Sequence, residues 1–466
     1  MEESIFQPYL GTRAIFKMDR EILRPSYIPE RLPHRESHID QLAQILVTAL
    51  KGERDHMEES IFQPYLGTRA IFKMDREILR PSYIPERLPH RESHIDQLAQ
   101  ILVTALKGER PSNVLIFGKT GSGKTAVVKY IENEFRKADS ARMVQYLYLN
   151  CEIVDTPYGV LQSIGNKFIE NFHQRIPFTG LSTDRVYSLL LEKLDEEKRI
   201  VIVALDEIDK IVQKNGDDIL YQLLKINDDL SKARVSLIGI SNDLKFTEYL
   251  DPRVRSRMAD EKMVFPPYNA DELYDILSER SRLAFENGTA EDGVLHLIAA
   301  LAAQEHGDAR RALDLLRVSA ELAERQGDEH ITEEHVQRAK NKIELDTVIE
   351  AIKSLPTQSK LIMLGILLNE EIGNAKLTTG EVYTTYRELC RKTGVTPLTQ
   401  RRVTDLISEL DMLGLVHARV RSFGRGGRTK EIQGSVPLLD VKKVLEKDEV
   451  LGEARGYRLK IQTTLL

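Results

Sequence analysis

Beyond residue 110 the chain alternates solid apolar runs with stretches of helical periodicity. Val114 to Phe117 is a short apolar run that breaks into a glycine-rich turn, and "KTAVVKYIENEF" continues with the spacing of an amphipathic helix. Ile200 to Leu205 is equally unbroken, and "RVSLIGIS" reads as a third strand. Strands that read as continuous apolar runs are buried on both faces, the habit of a parallel sheet covered by crossover helices. The stretch from "NCEIVDTPYGV" to "YSLLLEKL" predicts two or three helices, and "FPPYNADELYDILSERS" opens a helical region that includes the amphipathic "HGDARRALDLLR". After Asp346 the pattern changes to short helices: "IEAIKSLPTQSKLIMLGILLNEE", "TTGEVYTTYRELCRKTG" and "TPLTQRRVTDLISELDMLGLV". In the last, Thr399 is placed as the N-cap and Val403, Leu406, Ile407, Leu410 and Leu413 form the apolar stripe. "HARVRSF", the tip "GRGGRTK" and "EIQGSV" then predict a hairpin. Three helices and a hairpin make a winged helix-turn-helix.

The N-terminus follows a different logic. Residues 1–54 recur letter for letter as 57–110, separated by Asp55-His56. Repeats that stack to bury a shared core come in several copies that drift in sequence. Two identical copies followed by none do not fit that physics. The codons for His56-Met57 can spell a common cloning site with a start codon, so residues 1–56 are read as a surplus copy left by cloning, against a recent natural duplication.

About 410 residues remain, enough for two to three domains. Hydrophobic residues at 41% support proper cores. No apolar run approaches the ~18 residues of a membrane span, and no signal peptide is visible. Cys151 and Cys390 belong to no metal spacing, so a reducing, cytoplasmic setting is expected. With a net charge of −6, any nucleic-acid affinity has to come from a local patch.

The candidate chemistry starts at the first strand. Gly118-Lys119-Thr120-Gly121-Ser122-Gly123-Lys124-Thr125 matches G-x-x-x-x-G-K-[ST] between a strand and a helix, the context a phosphate-binding loop requires. Its glycines let backbone N–H groups turn onto a phosphate at a helix N-terminus. Lys124 is expected to reach the β- and γ-phosphates of ATP, and the Thr125 hydroxyl to ligate Mg2+. The strand from Ile200 ends in Asp206-Glu207. Asp206 would hold Mg2+ through water, and Glu207 would polarise the attacking water. Asn242 tips the third strand, where a polar side chain can orient that water.

Two groups of arginines follow. "DPRVRSRM" carries Arg253, Arg255 and Arg257; one of them would complete a neighbouring subunit's site in trans, unless this is simply a solvated basic turn. Arg310 stands at a helix start, where its charge opposes the macrodipole. That local cost points to a bound anion and makes Arg310 the candidate γ-phosphate sensor. His90 and His94 are spaced i, i+4, but no third ligand follows at a suitable spacing, so no zinc site is expected.

These are the parts of an AAA+ ATPase, in order. Through "YIPERLPHRE", "GKTGSGKT", "LDEID", "GISND", "DPRVRSR", "FPPY" and "GDARRALDLLR", the chain resembles the archaeal initiator family related to the eukaryotic origin recognition complex and its cell-division-control loader partner. The resemblance covers residues 57–466. It implies an α/β fold: an AAA+ P-loop ATPase with a parallel sheet (57–266) and a helical lid (267–345), followed by a C-terminal winged helix-turn-helix (346–466).

It also implies roles for particular residues. The segment with Tyr83, Pro85, Leu88, Pro89, His90 and Arg91 walls the adenine, and only the second copy is joined to the P-loop strand by the helix Ile95 to Leu106. Tyr268 and Arg280 contact the nucleotide, where the plain alternatives are a packed aromatic and a surface charge. Among the three arginines Arg257 is favoured, because in related clamp-loader ATPases the finger belongs to a Ser-Arg pair, here Ser256-Arg257. The turn "IPFTGLS" belongs to an inserted helical element that touches DNA, unless it is only a longer connector.

Charge points the C-terminal module at DNA. From Arg387 to Lys430 there are ten Lys/Arg against four Asp/Glu. Arg401 and Arg402, beside Thr399, can reach phosphates or base edges, and Arg425 and Arg428 at the wing tip suit a narrow minor groove. The reading is therefore a nucleoid-associated, ATP-dependent replication initiator that hydrolyses ATP to ADP slowly, as a switch. Its partners by resemblance are double-stranded origin DNA, paralogous initiators and the replicative minichromosome-maintenance helicase, with no membrane. Its rivals are a helicase-loader paralogue that binds origins weakly, an ATP-responsive transcriptional regulator, and a signalling NTPase whose winged helix only packs.

Overall fold

The computed structural model describes residues 71–457 except 74–75, 139–142, 170, 172–174, 259, 375, 423–427 and 455. The duplicated segment 1–56 and Arg425 lie outside the described residues. The elements below begin with α1 (Glu92–Leu102), β1 (Val114–Gly118), α2 (Lys124–Ala138), β2 (Val144–Asn150), α3 (Pro157–Gly165) and α4 (Thr183–Leu194). They continue through β3 (Ile200–Asp206), α5 (Ile208–Asn215), α6 (Asp218–Asp229), β4 (Arg234–Ser241), α7 (Pro252–Met258) and β5 (Glu261–Phe265).

The five strands form one parallel sheet in the order β2-β3-β4-β1-β5. Alternation along the strands builds two cores. Leu115, Phe117, Val201, Val203, Leu205, Val235 and Leu237 point to one, while Val114, Ile116, Ile200, Ile202, Ala204, Ile238 and Ile240 point to the other. Both faces are covered, which is why β1 and β3 are legible as solid apolar runs and β4 as a mostly apolar one. β2 and β5 are the two edge strands, and the sequence pattern does not announce them. β2 interleaves half-buried and buried positions, and β5 buries only Met263 and Phe265. Their polar positions hide them from a rule that looks for unbroken runs. β1 sits where the order of connection reverses, so the crevice at its C-terminal end is where such sheets bind ligands.

Four helices follow: α8 (Ala270–Ala284), α9 (Asp292–Gln304), α10 (Ala309–Gln326) and α11 (Glu333–Ser354). A reciprocal capping box of Asn269 and Glu272 starts α8, and Thr332 with His335 starts α11. α11 runs without a break through positions 345 and 346, where the sequence pattern changes. Its far end contributes Ile352 to the core of the next module.

That module contains α12 (Thr357–Glu371), β6 (Leu377–Thr378), α13 (Thr379–Thr393), α14 (Gln400–Met412), β7 (Val416–Ser422), β8 (Arg428–Gly434) and α15 (Leu438–Leu445). The antiparallel order β6-β8-β7 completes a winged helix. Val403, Leu406, Ile407 and Leu410 are buried as expected. Leu413 is not: it caps α14 and stays 57% exposed, and Leu415 takes the buried position after the Gly414 turn.

Candidate functional site

The loop from Gly118 to Thr125 bends because Gly121 and Gly123 adopt left-handed backbone (φ 73° and 89°). A Cβ on Gly121 would lie 1.8 Å from Asp308 Oδ1, and one on Gly123 would lie 2.6 Å from the Tyr268 hydroxyl. Only glycine fits there. Lys124 starts α2 and is 5% exposed. Its ammonium donates to the Gly118 and Lys119 carbonyls at 2.7 and 2.8 Å and to Asn242 Oδ1 at 2.8 Å. Burial pulls it down to about 8; Asp206 opposes that shift and Arg310 adds to it. The motif cation and the polar tip of β4 therefore meet directly.

The carboxylate of Asp206 is held from three sides. Thr125 Oγ1 donates to Oδ2 at 2.7 Å, the Tyr148 hydroxyl donates to the same oxygen at 2.6 Å, and the Glu207 amide donates to Oδ1 at 2.9 Å. Glu207 follows in left-handed backbone at φ 55°, which costs a non-glycine residue energy and is typical of functional turns. Burial raises its carboxyl above the ordinary value, helped by Glu152 and Asp206. Behind it Ser241 Oγ donates to Asp209 Oδ1 at 2.9 Å, and the Asn242 amide reaches the same oxygen at 3.3 Å. The buried Asp209 thus fixes the end of β4 against α5.

One cavity joins these groups to the upstream segment and the lid. Gly121, Ser122, Gly123, Lys124, Thr125, Asp206, Glu207 and Asn242 line its polar end. Tyr83, Ile84, Pro85, Leu88 and Pro89 line the other, with Ile276 and Leu313 from the lid. Tyr268, Arg280 and Arg310 also line it. Arg280 lies over the Tyr83 ring at 4.7 Å and donates to the Ile78 and Tyr83 carbonyls at 3.0 and 3.1 Å, so it orders the wall as well as facing it. Tyr268 is buried, which pushes its hydroxyl up to about 12.

Several expected residues stand outside this lining. The fully buried Arg91 donates to the carbonyls of Ser122 (2.9 Å), His90 (2.7 Å) and Pro266 (2.7 Å) and stacks 3.8 Å from the Tyr268 ring centre. It braces the loop from behind. His90 pairs with Asp275 and His94 with the Val264 carbonyl, so the two histidines do not converge. Among the described residues no group of His, Cys, Asp and Glu is arranged to hold a metal by itself. Gly118 and Lys119 enter through their carbonyls, and Thr120 is not in the lining.

Sequence reasoning does not single out Tyr148, Asp209 or Asp308. Asp308 accepts the Arg310 amide at 2.8 Å, and the Ala309 amide donates to the Gly121 carbonyl at 3.2 Å. The start of α10 is thereby tied to the loop, and an acid beside Arg310 offsets the arginine's conflict with the helix dipole. Asp immediately before a helical run is an N-terminal signal that could have exposed this residue.

On α7 the three arginines differ. Arg253 pairs with Asp251 at 3.0 Å and Arg257 with Asp228 at 3.5 Å, whereas Arg255 is exposed and has no ion-pair partner among the described residues. In "IPFTGLS", Phe178 is 87% exposed, the Tyr158 hydroxyl holds the Pro177 carbonyl at 2.6 Å, and Ser182 caps α4. Thr399 caps α14 through the Arg402 amide. Arg401 is exposed, and Arg402 lies 4.0 and 3.9 Å from Asp405 and Glu409. Arg428 begins β8, its backbone in register with Ser422.

A parallel sheet with a phosphate-binding loop after β1, an Asp-Glu pair after β3 and a helical lid defines an AAA+ P-loop ATPase, here carrying a winged helix. The model of the ATPase family associated with various cellular activities matches residues 114–266. The Cdc6 AAA+ ATPase-type lid model matches 274–341, and the CDC6 C-terminal winged-helix model matches 350–444. An ORC1-type DNA replication protein of Thermococcus kodakarensis is 54% identical over 397 residues, which cover 85% of this chain and 95% of the relative. ORC1-type DNA replication protein 1 of Methanosarcina mazei is 51% identical over 406 residues, covering 86% and 95%. Among solved structures, that of the Aeropyrum pernix ORC1 protein in complex with DNA matches at a TM-score of 0.71 and 43% identity, over 82% of this chain and 99% of that one. The chain belongs to the family of ORC1-type DNA replication proteins. No helix among the described residues is long and apolar enough to cross a membrane.

Proposed function

We propose that the protein is an ATP-dependent replication initiator that binds double-stranded origin DNA and helps recruit or load the replicative minichromosome-maintenance helicase, together with paralogous initiators. The observation that carries the ATP dependence is the single cavity shared by the loop, the ends of β3 and β4, the segment around Tyr83 and the lid. A nucleotide filling it would touch both the sheet and α10 at once. The apolar end suits a base, and the glycine-bent loop with Lys124 suits phosphates. The Thr125 hydroxyl and the Asp206 carboxylate form an all-oxygen pair that fits Mg2+. Bound there, the ion would neutralise charge on the β- and γ-phosphate oxygens.

Glu207 polarises the attacking water and Asn242 orients it, while Arg310 reads the γ-phosphate from the lid. Arg257 serves a neighbouring subunit's site, with Arg253 and Arg255 as alternatives. Hydrolysis in this reading is slow switching rather than rapid turnover. DNA binding rests on the family and on the basic C-terminal module, where α14 enters the major groove and Thr399, Arg401, Arg402, Arg425 and Arg428 make the contacts. Footprinting of genomic fragments with ATP, with ADP and without nucleotide tests the whole. Protection of origin repeats that changes with the nucleotide is expected. Protection of promoters instead would indicate a transcriptional regulator, and identical protection in all three conditions would overturn the ATP dependence.

A further inference from the structure

The geometry points to Tyr148 as the positioning residue that fixes the Asp206 carboxylate for its metal. This rests on the proposed reading of the cavity as an ATP·Mg2+ site. Cα pairing in the sheet puts Tyr148 opposite Ala204 and Asn150 opposite Asp206. Tyr148 and Asp206 are therefore diagonal neighbours on one sheet face, within reach of a long side chain. The hydroxyl spans that diagonal and donates to Oδ2 at 2.6 Å, the oxygen that also takes the Thr125 hydroxyl at 2.7 Å. With the Glu207 amide on Oδ1, both carboxylate oxygens are engaged and the group cannot rotate freely.

The ring has its own support. Lys129, one turn along α2 from Thr125, places its ammonium 4.6 Å from the Tyr148 ring centre, and Lys129 itself lines the cavity. Tyr148 is thus clamped between the sheet and the helix that begins at the phosphate loop. Partners that orient a metal-binding carboxylate set affinity for the ion, and their loss typically costs 10–100-fold. An aromatic that only fills space would have no such effect.

The matched control lies two residues earlier on the same face. Tyr146 also carries a hydroxyl there, but it donates to the Val128 carbonyl at 3.3 Å, away from Asp206. The full chain and its Tyr148→Phe and Tyr146→Phe variants are titrated with a fluorescent ADP analogue, first in EDTA and then at increasing Mg2+. Mn2+ binding to the ADP complex is followed by electron paramagnetic resonance. Tyr148→Phe should match the wild type in EDTA but require about tenfold more Mg2+ or Mn2+ for half-saturation, while Tyr146→Phe follows the wild type in both. Tyr148→Met, an apolar replacement of similar length, gives the same readout should the Phe variant not accumulate. Coincident metal titrations for wild type and Tyr148→Phe, or an equal shift in Tyr146→Phe, would overturn the inference. A wild type with no metal-dependent gain would instead sink the reading of the cavity on which it rests.

Discussion

Lys124 shows how much a single side chain can hold. Its ammonium satisfies two loop carbonyls and Asn242 while facing the cavity. In Lys124→Ala those acceptors turn to water at the cavity edge, so the fold should survive. Removing the charge-assisted bonds to two phosphates, worth about 1.5–3 kcal/mol each, should weaken ATP binding by about 100-fold or more in calorimetric titration. Binding within about tenfold of the wild type would contradict the role given to Lys124. Glu207→Gln keeps the size of the side chain but loses the base. It should bind ATP within a few-fold of the wild type and hydrolyse it about 100-fold more slowly in single turnover, in the range of general-base contributions. Normal turnover would remove Glu207 from the mechanism. Both residues are legible because each belongs to a motif whose spacing follows from its chemistry. Arg91 is placed against the adenine by resemblance alone. Its guanidinium instead braces the loop through the adjacent His90 carbonyl and the distant Ser122 and Pro266 carbonyls, a convergence that no local pattern encodes. Tyr148 is invisible in the sequence for the same reason, since its partner lies 58 positions away.

Among the elements, α7 concentrates an ambiguity that the sequence leaves open. Arg257 is engaged with Asp228 on α6, while Arg255 is exposed without an ion-pair partner among the described residues. To act in trans Arg257 has to leave an exposed pair, which costs at most about 1 kcal/mol. Mixing tests this: Arg257→Ala subunits should fail to stimulate hydrolysis by a neighbour whose own arginine is intact, whereas Arg255→Ala subunits should stimulate it. The reverse result would move the assignment to Arg255. The same scale explains which strands can be read. Doubly buried β1, β3 and β4 announce themselves by composition, and edge strands β2 and β5 do not. The winged helix is legible almost whole, because α14 carries a clean stripe and the hairpin a glycine-rich tip. Leu413 fails because helical spacing is extended past the Gly414 turn, and the first helix read there is divided at Leu355-Pro356 between α11 and α12.

At the scale of the whole molecule, the proposed reading divides the work on DNA between two groups of arginines. Full-length protein lacking Arg425 and Arg428 should bind many sequences more weakly. For every phosphate left without its arginine, the slope of log affinity against log salt should fall by about 0.9. Arg401→Ala or Arg402→Ala should instead cost about 1–3 kcal/mol at particular base positions, Arg402 first having to leave Asp405 and Glu409. Equal weakening on all sequences from both groups would mean that α14 reads no base.

What links the two ends is α11. Twenty-two residues of uninterrupted helix span roughly 33 Å at 1.5 Å per residue. Arg311, the neighbour of the cavity-facing Arg310, approaches Glu344 near its middle at 4.0 Å, and Ile352 is sunk in the winged-helix core. A rod of that kind works as a pointer: pivoting it by about 5° at Glu344, about 15 Å from its end, sweeps that end through about 1.3 Å. In the proposed reading, a small tilt imposed beside the cavity would thus reach α14 enlarged.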